Sequence, residues 1–589
     1  MLPERSERVS SLTVSNDDSP PATAPQNENN DSNISSKPPS PFNSHSDMEA
    51  QEPPRQAPAS HWSLVIDQTH ITPEVMNHPY RGSGTVEDPY VVEWIPNDRR
   101  NPMDWPQWKK WAITMTMAFA TLAVSLVSSA YTGGVKQIAK EFNVSSEVIT
   151  LGVSLFVLGF AIGPLFWAPL SEMYGRQILF LCTYAMLTTF NAGAAGANSM
   201  ATLLIFRFFG GAFGSSPLTN AGGVIADMFS ADDRGLAMSL FASAPFLGPC
   251  LGPITGGFLG EAAGWRWVEG YLAIFSGTLW IIGSLVVPET YAPVLLRRRA
   301  NKLSKRTGKA YKTSIDIRNG DKSLGSELKV ALSRPWKLLF TEPIVLAISI
   351  FMAIVYGTMY MCFAAFPIVY QEGRNWSEGI GGLAFLGILV GMLIAVSYSI
   401  YDNARSPPPA LIGSLALPIG LFWFAWTNSP SLHWSISIIG TAPFGFGMVL
   451  VFLGSMNYLI DAYTIYAASV LAASSVLRSL FGAAFPLFAS YMYDSLGIHW
   501  ASSVPAFLAV LCIPAPFLFY KYGESIRLKC KYAAESAEFM RLIREKENDT
   551  KEKGGVLVPR DEDGDGVGKE SDEDVENGVF VGQNKEESS

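Results

Sequence analysis

The sequence predicts an all-α membrane protein of about twelve spanning helices, and three observations carry that prediction. The apolar residues fall into long runs at 111–130, 148–167, 178–197, 201–226, 236–259, 268–287, 344–369, 379–399, 409–426, 436–459, 463–491 and 501–520. Each is close to the roughly twenty residues that cross a bilayer. Many contain Ser, Thr and Gly, the usual make-up of helices packed within a membrane. Lys and Arg favour alternate connections: Arg176, Arg234 and Arg405 on one side, with Lys521, Arg527, Lys529 and Lys531 after the last run. A long connection carrying Arg297, Arg298, Arg299, Lys302, Lys305 and Arg306 divides the runs six and six.

In order along the chain, residues 1–92 are rich in Ser, Pro, Asn and Asp and are expected to be a disordered cytoplasmic tail. No apolar segment of signal-peptide type opens them, so insertion is expected to begin with the helix at Trp111. Trp105, Trp108, Lys109 and Lys110 suit the headgroup region at that helix's entrance. Residues 93–288 form a first six-helix half, 289–342 a central cytoplasmic loop, and 343–530 a second six-helix half. Residues 531–589 are a tail that ends strongly acidic and should also be cytoplasmic. The positive-inside bias sets this orientation. It turns Asn143-Val144-Ser145 and Asn375-Trp376-Ser377 outward, where Asn143 and Asn375 are glycosylation candidates. Two halves joined by a basic loop place a binding site between them near the midplane.

The formal net charge of −9 arises largely in the tails. The five Cys lie within or just after the spans, and neither a disulfide framework nor a metal-ligand spacing appears. No nucleophile–base constellation and no Gly-x-x-x-x-Gly-Lys-Ser/Thr loop is present, which argues against an enzyme and against a self-contained ATP-driven pump. No cofactor, metal or nucleic-acid partner is expected. The expected partners are the lipid bilayer, a small organic substrate and protons, for a chain acting as a monomer.

Motifs narrow the class. After the second run comes Gly163-Pro164-Leu165-Phe166-Trp167-Ala168-Pro169-Leu170-Ser171-Glu172-Met173-Tyr174-Gly175-Arg176. Gly175 permits a tight turn there, and Arg176 can cap helix ends or pair with a carboxylate. The fourth run holds Arg207-Phe208-Phe209-Gly210-Gly211, an Arg placed where lipid excludes charge unless it serves a polar interior. The fifth holds Gly248-Pro249-Cys250-Leu251-Gly252-Pro253-Ile254-Thr255-Gly256-Gly257. Its glycines admit a neighbouring helix closely, and its prolines bend the helix. Trp265-Arg266-Trp267 precedes the sixth run, Pro288-Glu289-Thr290-Tyr291 follows it, and Phe485-Pro486-Leu487-Phe488 lies beyond Arg478.

These segments resemble motifs A, B and C of the major facilitator superfamily, and together they are similar to the fungal twelve-span drug:proton antiporters. The resemblance runs from about Val92 to Lys531. The departures are Glu172 where Asp is usual and Met173 where Arg is usual. The resemblance implies the major facilitator fold and the export of drugs, fungicides or self-made toxins and other secondary metabolites. It also implies proton antiport, with Arg207 tuning a neighbouring acid. The expected location is the plasma membrane, with a vacuolar or vesicle membrane as the alternative.

Charge placement suggests a mechanism. Arg207 and Arg478 are read as the only ionisable groups well inside the spans, so the interior should favour a neutral or weakly anionic substrate over a polyamine. The proton carrier is sought at the membrane edges, among Glu172, Asp227, Asp461, Glu147 and Glu261. Glu172, Arg176 and Asp227 are expected to form one charge cluster. Tyr356, Tyr360 and Phe363 on the seventh helix, with Phe481 and Phe485 on the eleventh, are candidate pocket walls. A proton-independent facilitator, a polyamine exporter and a non-transporting sensor are the competing readings.

Overall fold

In a computed structural model, residues 60–554 are described, apart from 97, 231–232, 321–323 and 402–408. The spanning helices of the first half are α1 (Gln107–Ala130), α2 (Ser146–Tyr174), α3 (Arg176–Ala195), α4 (Met200–Met228), α5 (Arg234–Ala263) and α6 (Trp265–Val286). Those of the second are α7 (Pro343–Phe366), α8 (Phe385–Tyr401), α9 (Pro409–Thr427), α10 (Ala442–Ala462), α11 (467–496) and α12 (498–512, continued by Pro514–Lys529).

Among the described residues, ten helical segments are long and apolar enough to cross a membrane. One of these, Thr464–Gly523, is broken by the non-helical backbone of Gly497 (φ 73°), which separates α11 from α12. The 29-residue α4 is not among the ten; Arg207 and its Gly and Ser residues lower its apolarity. With α4 and the divided segment counted, the described residues hold the twelve spans that hydropathy predicts.

Packing repeats between the halves. In the first, α1 packs on α5, α2 on α4 and α3 on α6; in the second, α7 packs on α11, α8 on α10 and α9 on α12. The halves meet where α2 lies on α11 and α5 on α8, two contacts that the repeat makes equivalent. Proline and glycine shape several of these helices. Pro367 ends α7 in a π-turn over Pro367–Glu372, and Thr441 interrupts the approach to α10 between Trp434–Gly440 and Ala442.

The expected disorder of residues 1–92 is corrected over 60–92; residues 1–59 lie outside the described residues. His61–Asp67 and Pro73–Asn77 are helices capped by the Ser60 and Thr72 hydroxyls. Strand β1 (Tyr90–Val92) pairs in parallel with β2 (Tyr311–Thr313) of the central loop. Ile71, Val75, Val92 and Ile95 bury themselves against Ala300, Leu303 and Tyr311, a small core made from two segments too polar to collapse separately. Asp98 and Arg299, each 1% exposed, pair across it at 2.7 Å, and Lys302 donates to Asp67 at 2.6 Å.

The entrance to α1 also differs from expectation. Trp108 is exposed, whereas Trp105, Lys109 and Lys110 are buried. Lys110 donates to the Met103 carbonyl at 2.7 Å, and the Lys109 ammonium lies 4.4 Å over the Trp105 ring. At the far end of the second half, Lys531–Gly554 is helical. It is docked by Glu342, whose carboxylate accepts from the Tyr463 hydroxyl and the Tyr532 backbone N–H. The most acidic residues of that tail, 555–589, lie outside the described residues.

Breaking a buried ion pair from one side costs about 3–5 kcal/mol. Asp98→Ala should therefore open the 60–105 segment about a hundredfold more often and expose it to protease, whereas Asp98→Glu should protect most of it. Equal protease resistance of Asp98→Ala and the parent would contradict this.

Candidate functional site at the seam between the halves

Four glycines at four-residue spacing, Gly248, Gly252, Gly256 and Gly260, line one face of α5. A side chain on any of them would collide with α1 or the turn that follows it, at Ser125, Ser129, Ala130 and Gly133 respectively. The neighbouring face of α5 meets the second half. Gly257 lies against the backbone of Glu378, Pro253 against Gly382, and the Cys250 sulfur is 3.8 Å from that of Met392. The motif-C glycines and prolines thus press one helix into both halves, on the side away from the central loop. Glu261 adds a polar tie there by accepting from the Gly379 N–H at 3.2 Å.

Arg207, 1% exposed, projects from α4 into the gap between α1 and α2. Its Nε donates to the Gly152 carbonyl (3.2 Å), Nη1 to Val127 (2.9 Å) and Nη2 to Ser128 (3.0 Å). Val127 and Ser128 lie where α1 tightens into the 3₁₀ turn Tyr131–Gly134, so their carbonyls need an outside donor. The guanidinium is also flanked by the rings of Phe156 and Tyr131, at 4.5 and 4.8 Å.

Beside it lies an acid that the charge reading missed. Glu269 on α6 is 1% exposed, and its Oε1 is 3.8 Å from Arg207 Nη1. Among the described residues, neither carboxyl oxygen receives a hydrogen bond. The expectation that no carboxylate joins the interior arginines is therefore wrong. Glu269 stands only two residues into the predicted sixth run, where it reads as a helix-end charge. The signal that locates it is periodicity: Trp265, Glu269, Leu272, Ser276, Leu279 and Gly283 form one buried stripe.

From this pair a polar thread crosses the seam. Ser128 donates its hydroxyl to the Ser125 carbonyl at 2.6 Å and shares a 2.8 Å hydrogen bond with the Tyr360 hydroxyl of α7. Tyr356 donates to Tyr360 at 3.4 Å, and the Arg478 guanidinium lies 5.1 Å over the Tyr356 ring. Here a small void of about 10 Å³, room for about one water, lies between α5 and the second half. Phe246, Met352, Val355, Tyr356, Met448, Val451, Phe452 and Arg478 line it.

Of the candidate pocket aromatics, then, Tyr356 faces this space. Tyr360 belongs to the thread, and Phe363 packs on Phe385 of α8. Phe485 fits against Gly357 of α7 and lies tilted against the Phe481 ring, with centroids 5.5 Å apart. The apolar lining from α10 and Phe246 went unread because nothing separates it by composition from ordinary helix packing.

On the side of the central loop, Arg176 sits among Asp227 (3.4 Å), Ser171 (2.5 Å) and the Tyr291 ring (4.7 Å). Asp227 also accepts from the Thr290 hydroxyl at 3.1 Å. Glu289 caps α3 by accepting from the Arg176 and Gln177 N–H groups, which is possible because Gly175 turns with φ 104°. Glu172 is exposed and acts on the cluster through Tyr291. Burial first, and then the Glu172 charge, push the Tyr291 hydroxyl up to about 12. Glu147 is exposed at the start of α2, and Asp461 sits near the end of α10. Asn143 and Asn375 are exposed and left-handed, with φ of 51° and 55°.

The family model described as Major Facilitator Superfamily matches residues 117–486. The chain belongs to that superfamily. It is 64% identical over 515 residues to the MFS-type efflux pump MFS2 of Trichophyton rubrum, covering 84% of this chain and 87% of that one. It is equally 64% identical, over 511 residues, to the major facilitator superfamily multidrug transporter mdrA of Aspergillus fumigatus, covering 84% of each. Among solved structures, the proton:xylose symporter XylE of E. coli shares the fold, with a TM-score of 0.53 at 16% identity, covering 71% of this chain and 96% of that one. This chain is a multi-pass efflux transporter of the superfamily rather than an enzyme.

Overpacking a close helix contact costs about 1–3 kcal/mol. Gly256→Val should therefore lower export about tenfold or more while membrane insertion is kept. Gly270→Ala, at a glycine with open space around it, should change neither. Equal export by both variants would remove the functional weight from the α5 face.

Proposed function

We propose that this transporter exports apolar or weakly anionic small organic molecules, such as drugs, fungicides, self-made toxins or other secondary metabolites. The export runs by proton antiport with alternating access and acts at the plasma membrane. The observation that carries the reading is the buried Arg207–Glu269 pair. A carboxyl held in the protein interior with no hydrogen-bond donor, 3.8 Å from a guanidinium already committed to three carbonyls, can take or lose a proton without breaking a hydrogen bond of its own. Ionised, Glu269 draws Arg207 toward α6. Protonated, it leaves the guanidinium to α1 and α2. One proton thereby alters the grip of α4 on the two helices that carry the seam.

This moves the proton carrier from the edge carboxylates to the interior and weighs against the facilitator. It does not favour polyamines, because Arg207 answers the charge of Glu269 and the central space offers a cation no other acid among its lining residues. The seams α2–α11 and α5–α8 are the paired contacts that would exchange as access alternates. The named activities of the two fungal relatives agree with export.

Purified protein in vesicles, given an inward proton gradient, should move a radiolabelled azole uphill. Glu269→Gln should abolish uphill movement and keep downhill exchange. Neutralising Glu147, Glu261 or Asp461 should leave uphill movement intact. Full uphill transport by Glu269→Gln would reject the assignment, and equilibration alone in the parent would establish the facilitator.

A further inference from the structure

Two arginines lie inside the bundle, and the structure treats them differently. Every nitrogen of Arg207 has a carbonyl partner, and a carboxylate stands beside it. Arg478, on α11, has neither. Its Nη2 donates to the Ser475 hydroxyl at 3.3 Å, its Nε is buried and donates to nothing, and no described ion pair includes it. What surrounds it is aromatic: its guanidinium lies 5.0 Å over the Phe452 ring and 5.1 Å over the Tyr356 ring.

Arg478 is also the one charged residue lining the space between α5 and the second half. The rest of that lining is Phe, Met, Val and the flank of Tyr356. A guanidinium in apolar surroundings is costly unless an anion or a set of acceptors meets it. Rings over its face supply part of that, but they leave its in-plane N–H groups unanswered. Water could take some of those protons, yet it brings no counter-charge. A carboxylate supplies both, since its two oxygens match the planar fork.

We propose that Arg478 anchors the anionic head of the substrate, and that the preferred substrates are small organic monocarboxylates. The carboxylate takes the Arg478 fork, and an apolar body enters among Phe246, Met352, Met448 and Phe452 when α5 and α10 part, since the closed void has room for only about one water. This rests on the export reading above and narrows it. The anchor is also connected. Tyr356, under the guanidinium, donates to Tyr360, which bonds Ser128, whose carbonyl is held by Arg207. Occupancy at Arg478 thus bears on the helix that the Arg207–Glu269 pair grips.

The test uses the purified full chain in lipid nanodiscs, with naphthoate and its methyl ester as probes and binding followed by tryptophan fluorescence. The parent should bind naphthoate about tenfold or more tightly than the ester, as a charge-assisted pair implies. Arg478→Gln should erase that preference while ester binding remains, and Arg478→Lys should restore part of it. If the glutamine variant fails to fold, the parent and Arg478→Lys decide. A parent that binds acid and ester equally, or a preference that survives Arg478→Gln, overturns the proposal. Uphill export of the azole in vesicles is measured alongside. Its absence in the parent would strike the export reading, whereas its presence without acid preference would strike the anchor alone.

Discussion

A guanidinium placed among spanning helices has to be satisfied from within the protein, and much of the first half is arranged around doing so for Arg207. The 3₁₀ turn at the end of α1 frees the carbonyls that its two terminal nitrogens hold, while α2 offers Gly152 to the third. Gly152 itself has no side chain because the Tyr131 ring occupies that position, and the same ring flanks the guanidinium. One side chain thereby fixes α1, α2 and α4 relative to each other, and Glu269 brings in α6. Removing Arg207 would leave three carbonyls without their donor and a carboxyl without its counter-charge, so these groups form a single network.

Around that tie, the helices approach each other through absences of side chain. Gly159 and Gly163 of α2 meet Gly211, Ala212 and Ser215 of α4, as the α5 glycines meet α1. In lipid no hydrophobic driving force separates a helix–helix contact from a helix–lipid one, so close packing and buried hydrogen bonds must supply the association. The seam follows the same rule. Val157 fits Gly482 and Phe485 fits Gly357, with Ser128–Tyr360 as the polar stitch. Because the pairing of helices repeats in the two halves, the two seam contacts are equivalent rather than unlike.

The architecture was legible in the sequence because hydropathy, positive charge and the six-and-six division are properties of whole segments. The Arg176–Asp227 contact was legible too, since turn length and motif put both residues at one end of the bundle. What resisted reading depended on pairing across distance. Glu269 reads as a helix-end charge until α4 is laid beside α6. The aromatic stripes could not tell Tyr356, which lines the small void, from Phe485, whose place is set by a glycine on another helix. Residues 60–92 look unable to form a core because half of that core, Ala300, Leu303 and Tyr311, comes from the central loop.

That last arrangement bears on how the chain is assembled. Strands β1 and β2 are parallel partners drawn from before the first spanning helix and after the sixth. During synthesis Tyr90 emerges long before Tyr311, so the clasp cannot close until all six helices of the first half have been made. When it closes, it joins the two ends of that half into a ring, and its loop-closure entropy is recovered by the buried Asp98–Arg299 pair and the small apolar core. A first half with a missing or inverted helix would deliver its two ends to opposite faces of the membrane and could not close. The clasp can therefore close only on a first half whose two ends lie on the same face of the membrane.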